Sequence, residues 1–471
     1  MNPDSNDKTT ALKIFYGSSY PLLPVFILVL IMFRASADAE PSFFLSNGDR
    51  VCFYGDSITE QRFYGVDVET YVRTRFPDLK VKFVNSGVGG DTVSGGWAGP
   101  IDLRLMRDVY PFKPNVVTIM LGMNDAKYSP FDPKIFADYT NGYEHIILSL
   151  QQHLPGVKIV LIQPTPYDDV TSPLSFPGGY NAVLLRYCAF VRQLAVEHDL
   201  TCVDFMTPLI ELMQKAQAQD TSLAREIIPG RIHPSPTTEL IMARLLLQAW
   251  GAPPTVTSVA INATEDTVLD SDNTTVSGLK TESGKISWKQ KDESLPFPIL
   301  GLHENWPQYP PVARHGNSLT FFWPAPQPKW DYTNTVAEKI VDLAGIYKAL
   351  DQELLSVSGL KPGNYQLKIN GQIIGKFNGQ QLRKGINLAG YRTPMLEQSY
   401  DVLALVWKQT QWRYFAWRGI QTELADNNDH KVQDAADSLV AALETQRQEI
   451  TDQASVASRP QLTLYELAPA N

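Results

Sequence analysis

The chain has 471 residues, 44% of them hydrophobic and 19% charged, which describes an ordinary globular protein with room for two or three domains. Its formal net charge of −9 comes with no basic stripe or polybasic tail, so no nucleic-acid partner is expected. Three cysteines, Cys52, Cys188 and Cys202, are too few for a disulfide scaffold, and no Cys/His cluster has metal-ligand spacing; neither a metal nor a cofactor is expected.

Residues 1–39 read as a secretory signal peptide. Lys8 and Lys13 precede an apolar run from Pro21 to Phe33, and small residues follow at Ala35, Ala37 and Ala39 in an A-x-A-like cleavage pattern. The run is shorter than the roughly 20 residues of a membrane-spanning helix and contains Pro24, and no other stretch could span a bilayer. The expected location is secreted or periplasmic, with membrane attachment only if the leader stays uncleaved.

From residue 40 to 252 short β-branched runs alternate with longer helical ones. Strands are expected at Val51–Tyr54, Val81–Asn85, Val116–Leu121, Ile159–Gln163 and Thr201–Phe205. Helical periodicity marks Tyr64–Phe76, Ala98–Tyr110, Phe136–His153, Asn181–His198 and Thr237–Trp250. Five strands separated by helices predict a parallel sheet covered on both faces. Gly251-Ala252-Pro253-Pro254 ends this domain. Residues 253–425 read as a β-rich accessory module, with an aromatic and Pro-rich insertion from His303 to Trp330 and an Asn-Gly hairpin at Asn370-Gly371. A final helix from about Val432 to Gln453, within a 426–471 tail, is expected to close the chain.

Four segments of the first domain carry chemistry. Gly55-Asp56-Ser57 follows the first strand and sets a hydroxyl at the carboxyl edge of the sheet, where open α/β sheets bind ligands. Gly89-Gly90-Asp91-Thr92 follows the second strand as a tight turn, in which Asp91 or Thr92 would also suit a helix cap. Gly122-Met123-Asn124-Asp125 follows the third; its uncharged amide can donate to an oxyanion or form an Asx turn. His233-Pro234-Ser235 lies on a loop before the domain's last helix, where a histidine is by default a surface residue.

In this order the four segments closely resemble the four blocks of the SGNH hydrolases, the GDSL esterase/lipase superfamily, over roughly residues 49–250. The resemblance implies a three-layer α/β/α sandwich around a five-stranded parallel, flavodoxin-like sheet. It implies Ser57 as nucleophile, His233 as general base, and an oxyanion hole from the Ser57 and Gly90 N–H groups and the Asn124 side chain. One position departs: the family's aspartate three residues before the histidine is Gly230 here. A distal carboxylate such as Glu226 could substitute, a backbone carbonyl could hold a Ser–His dyad, or turnover is weakened. The resemblance therefore implies an exported serine hydrolase of carboxylic esters, acetyl esters of carbohydrates among them. The alternatives are a hydrolase-like protein that binds ester or carbohydrate ligands without turnover, and a lipase, against which stands the lack of a lid-like apolar segment beside the nucleophile.

Overall fold

Runs that are apolar on both faces can be satisfied only between two layers, and here they form the central sheet. In a computed structural model that describes residues 43–299, 335–425 and 427–470, with the backbone of 312–315 and 318–321, five of these runs are strands. They are Arg50–Gly55, Lys82–Asn85, Val116–Met120, Lys158–Ile162 and Thr201–Val203. The leader, and the aromatic run from His303 to Trp330 apart from the backbone just given, lie outside the described residues.

All neighbouring pairs in this sheet are parallel. In space Lys82–Asn85 comes first, then Arg50–Gly55, Val116–Met120, Lys158–Ile162 and Thr201–Val203. The first strand of the chain thus has the second on one side and the third on the other. That reversal of direction is the topological switch at which open sheets leave a crevice. Helices Phe63–Arg75 and Pro236–Ala249 pack together, as do Pro133–His153 and Gly179–Glu197. The helix expected from Ala98 starts only at Ile101, because Gly95–Gly96 and Gly99–Pro100 first form a small hairpin. Helices Met206–Gln219 and Thr221–Arg225 were not expected.

The C-terminal region is β-rich. One sheet joins Ile386–Asn387, Gln352–Ser358, Thr255–Asn262 and Thr267–Asp272. The other joins Thr274–Glu282, Lys285–Asp292, Leu462–Ala470, Asn364–Ile369 and Gln372–Asn378. The hairpin at Asn370-Gly371 forms as expected, with φ of +50° and +81° at its two central residues.

The final helix runs from His430 to Ala457 but does not close the chain: Leu462–Ala470 follows as a strand in the middle of the five-stranded sheet. Its alternation buries Thr463, Tyr465 and Leu467. Helix Pro394–Tyr414, continued by a π-helical turn Phe415–Thr422, also went unforeseen within the β-rich segment. It lies against Phe63–Arg75, whose thirteen residues are all buried. Ile340, Val341, Ile346 and Leu350 join the core of the first domain.

Candidate active site

The crevice at the strand reversal is built by the turns after the first three strands. Gly55 ends the first, and a Cβ there would lie 2.7 Å from the Met120 carbonyl oxygen, so the tight turn admits glycine alone. The Asp56 carboxylate then accepts the Ile58 N–H at 3.0 Å and caps the short helix Ser57–Glu60. Ser57 opens that helix, half-buried, with its Oγ 2.9 Å from His233 Nε2.

His233 stands on a loop held at both ends. Gly230 and Arg231 take φ of +73° and +78° in succession. The Arg231 guanidinium stacks 4.5 Å from the Tyr167 ring centre and donates to the Pro173 carbonyl at 2.9 Å, while its own carbonyl accepts the Asp168 N–H. Beyond the histidine, Ser235 caps helix Pro236–Ala249 and its N–H returns to the Ile227 carbonyl at 3.1 Å. His233 is exposed as a residue, yet lost hydration around the ring still lowers its pKa below the usual 6.5, against a smaller pull from Glu60. The neutral imidazole is therefore the form present at pH 7.

Behind the serine, the Asp91 N–H returns to the Val88 carbonyl at 3.1 Å, and Gly90 at φ +79° makes this a turn of type II. Asn124 closes the crevice from the third strand's end. Its Nδ2 donates to the Asp91 carbonyl at 3.1 Å and its Oδ1 accepts the Tyr128 hydroxyl at 2.9 Å, which fixes the amide and leaves a second Nδ2–H. The structure thus brings Ser57 into contact with His233, sets the turn of Gly90 beside the serine, where a Cβ on Gly89 would lie 3.8 Å from that of Ser57, and bonds Asn124 to the residue after Gly90.

Glu226 does not stand in for the missing acid. It is exposed at the end of helix Thr221–Arg225, and among the described residues neither it nor any other group hydrogen-bonds His233 Nδ1. The space around Gly230 is open, with no atom within 4 Å of a Cβ built there.

Several residues that sequence reasoning passed over support the turns that carry these side chains. The Asp91 carboxylate, a candidate cap, instead pairs with buried Arg104 at 2.8 Å. Arg104 also pairs with Asp108, which accepts the Trp417 indole N–H at 2.6 Å. Glu60 accepts the Gly89 N–H at 2.7 Å and the Tyr414 hydroxyl at 2.6 Å, and the Trp97 indole N–H donates to the Gly89 carbonyl at 2.8 Å. Arg104 and Asp108, four apart on one helix, carried a local signal. Tyr414 and Trp417, some three hundred residues along the chain from their partners, carried none. Burial pushes the Asp56 and Asp125 carboxyls up to about 7; both serve the backbone, Asp125 by accepting the Val93 N–H at 2.9 Å. No group of three or more His, Cys, Asp or Glu side chains among the described residues could hold a metal.

A parallel sheet with a serine, a histidine and an amide donor at its switch point defines an α/β hydrolytic domain. The profile of the GDSL-like Lipase/Acylhydrolase family matches residues 53–238. That segment belongs to the SGNH hydrolase superfamily, and the protein is an ester-hydrolysing enzyme. An acetylxylan esterase of Geobacillus stearothermophilus is 26% identical over 230 residues, 44% of this chain and 96% of that protein. The structure of BT4096, a gut microbial diltiazem-metabolizing enzyme, superimposes with a TM-score of 0.74 at 23% identity, over 92% of this chain and 100% of its own. The fold it shares includes the C-terminal region as well as the hydrolase domain.

Proposed function

We propose that the protein is an exported serine esterase in which Ser57 is the nucleophile and His233 the general base. The observation that carries this reading is the 2.9 Å approach of Ser57 Oγ to His233 Nε2, within reach for proton transfer. As Oγ attacks the ester carbonyl carbon, its proton passes to Nε2. The carbonyl oxygen becomes the oxyanion, held by the Ser57 and Gly90 N–H groups and by Asn124 Nδ2–H. Collapse breaks the bond to the alcohol, which leaves with the proton from Nε2. Water, deprotonated by the same nitrogen, then releases the acid and restores Ser57.

Acetyl esters of carbohydrates are the proposed substrates, a reading supported by the likeness to the acetylxylan esterase. The export reading is supported by the composition of residues 1–39. The test is turnover of p-nitrophenyl esters of increasing acyl length and of acetylated xylan, beside Ser57→Ala. Acetyl preference abolished by Ser57→Ala is expected; turnover that survives the substitution would overturn the assignment. That no group among the described residues hydrogen-bonds His233 Nδ1 favours a second reading, an esterase of weakened turnover that binds its ester or carbohydrate ligand. Tight binding of acetylated xylan by the wild type with only slow hydrolysis would establish that one.

A further inference from the structure

The turn that carries Gly90 has two glycines at its centre, and its own sterics do not choose how its middle peptide faces. In a trans peptide the carbonyl oxygen of one residue and the N–H of the next point in opposite directions. Rotating the central peptide of a turn interconverts types I and II, and reverses both groups. A side chain at the third position normally resists one of the two, but glycine accepts positive and negative φ alike. The direction of the Gly90 N–H is therefore set from outside the turn.

Two contacts set it. The Trp97 indole N–H donates to the Gly89 carbonyl oxygen at 2.8 Å, which belongs to the same peptide unit as the Gly90 N–H. The Glu60 carboxylate accepts the Gly89 N–H at 2.7 Å and fixes the preceding unit. Trp97 is 65% exposed, so packing does not explain it. Both contacts are backed by one distant segment. The Tyr414 hydroxyl donates to the other Glu60 oxygen at 2.6 Å. The Arg418 guanidinium, on the π-helical turn, lies 4.6 Å from the Trp97 ring centre and 3.6 Å from Glu60. π-helical turns recur at functional sites, where they re-aim side chains.

We propose that Trp97 is a positioning residue that latches the Gly89–Gly90 peptide with its N–H turned into the oxyanion hole, and that Tyr414 and Arg418 of the C-terminal segment hold this latch. The proposal rests on the esterase reading above, in which the Gly90 N–H meets the oxyanion. Holding the carbonyl outward acts on the transition state, where charge develops, and leaves the ground-state complex nearly unchanged.

The test is steady-state hydrolysis of p-nitrophenyl acetate by the full chain carrying Trp97→Phe, Trp97→Ala, Tyr414→Phe or Arg418→Met, with thermal unfolding in parallel. Trp97→Phe keeps a ring and removes the N–H. It is expected to lower kcat about tenfold to a hundredfold with KM within twofold, bounded by the 10²–10³ of a lost oxyanion donor. Trp97→Ala should match it, and Tyr414→Phe and Arg418→Met should lower kcat less. Should Trp97→Phe fail to fold, the latter two carry the test under the same requirement. Unchanged kcat in folded variants overturns the latch. So does a rise in KM confined to Trp97→Ala, which would make the indole a stacking surface for substrate. A wild type without Ser57-dependent turnover overturns the esterase reading itself, and the latch with it.

Discussion

A glycine at residue 230 separates this site from the Ser-His-Asp arrangement and makes its pH behaviour predictable. His233, the proposed base, would work when neutral, and lost hydration lowers its pKa below 6.5. The acid limb of kcat/KM should accordingly have its midpoint below pH 6.5, with the rate rising as His233 loses its proton. Gly230→Asp would add a carboxylate in open space three residues before His233, and should it reach the ring it would favour the imidazolium. Two effects are then expected: kcat rises, by at most about four decades, and the acid limb moves to higher pH. The φ of +73° makes aspartate there less stable by roughly 1–2 kcal/mol, so unfolding is measured beside rate. A well-folded Gly230→Asp with unchanged kcat and unchanged pH profile would mean the histidine works as a dyad with Ser57. Asn124 allows a second prediction. Its amide bonds, to Asp91 and from Tyr128, fix the side chain and leave one N–H for the proposed oxyanion. Asn124→Ala should lower kcat about 10²–10³-fold with little change in KM; equal losses in binding, or unfolding, would make it a turn residue. The four candidate residues stood out in the sequence because each follows a short apolar run or precedes a helix, and the strand order places those ends along one edge of the sheet. The contacts of Trp97 and Glu60 to the Gly89 turn did not, since no local pattern marks either residue.

Legibility at the scale of elements followed burial. Strands apolar on both faces, and helices with one apolar face, stood out within a few residues of their observed ends. Helix Phe63–Arg75 was recognised by its period, but not that it is enclosed on all sides: Glu69, which pairs with Arg73 at 2.6 Å, also accepts Gln409 Nε2–H at 2.6 Å from helix Pro394–Tyr414. Leu462–Ala470 was missed because an alternating run near a chain end carries no sign of where it pairs. Its place is decided by what it buries. Tyr465 stacks on Trp288 with ring centres 5.0 Å apart, between strands Lys285–Asp292 and Asn364–Ile369, both of which need its backbone groups. Tyr465→Ala should therefore cost about 3–5 kcal/mol, as for other buried aromatics. Urea unfolding followed by tryptophan fluorescence should show a lower midpoint at an unchanged slope. A loss below about 1 kcal/mol would mean that this strand is held by its ladder alone.

The whole molecule differs from what the division into a hydrolase domain and an accessory module suggests. Beyond Trp250, the chain returns to cover the hydrolase fold: Phe63 stacks on Trp407 with ring centres 5.4 Å apart, and Val66 lies with Leu403 and Val406 in the same buried cluster. Arg75 donates to the carbonyls of Pro253, Thr255 and Leu350, and Ile340, Val341 and Ile346 complete the core of the first domain. The acetylxylan esterase relative is matched over 96% of its length by 230 residues, so it has no counterpart to most of this covering. The surface that the hydrolase fold presents to helix Pro394–Tyr414 is apolar and aromatic. A chain of residues 40–251 would expose that surface, leave Glu69 without Gln409, and lose Tyr414 from Glu60. Exposed patches of this kind drive aggregation. We expect the shortened chain to appear in inclusion bodies, or as soluble aggregate by size-exclusion chromatography, while residues 40–471 elute as a defined species. Whatever fraction stays monomeric should retain the Ser57–His233 contact, which the two hydrolase loops make alone, yet show reduced kcat because Glu60 and the Gly89 turn have lost their support. A monodisperse 40–251 protein with the full chain's kcat and stability would refute the dependence of the site on its C-terminal cover.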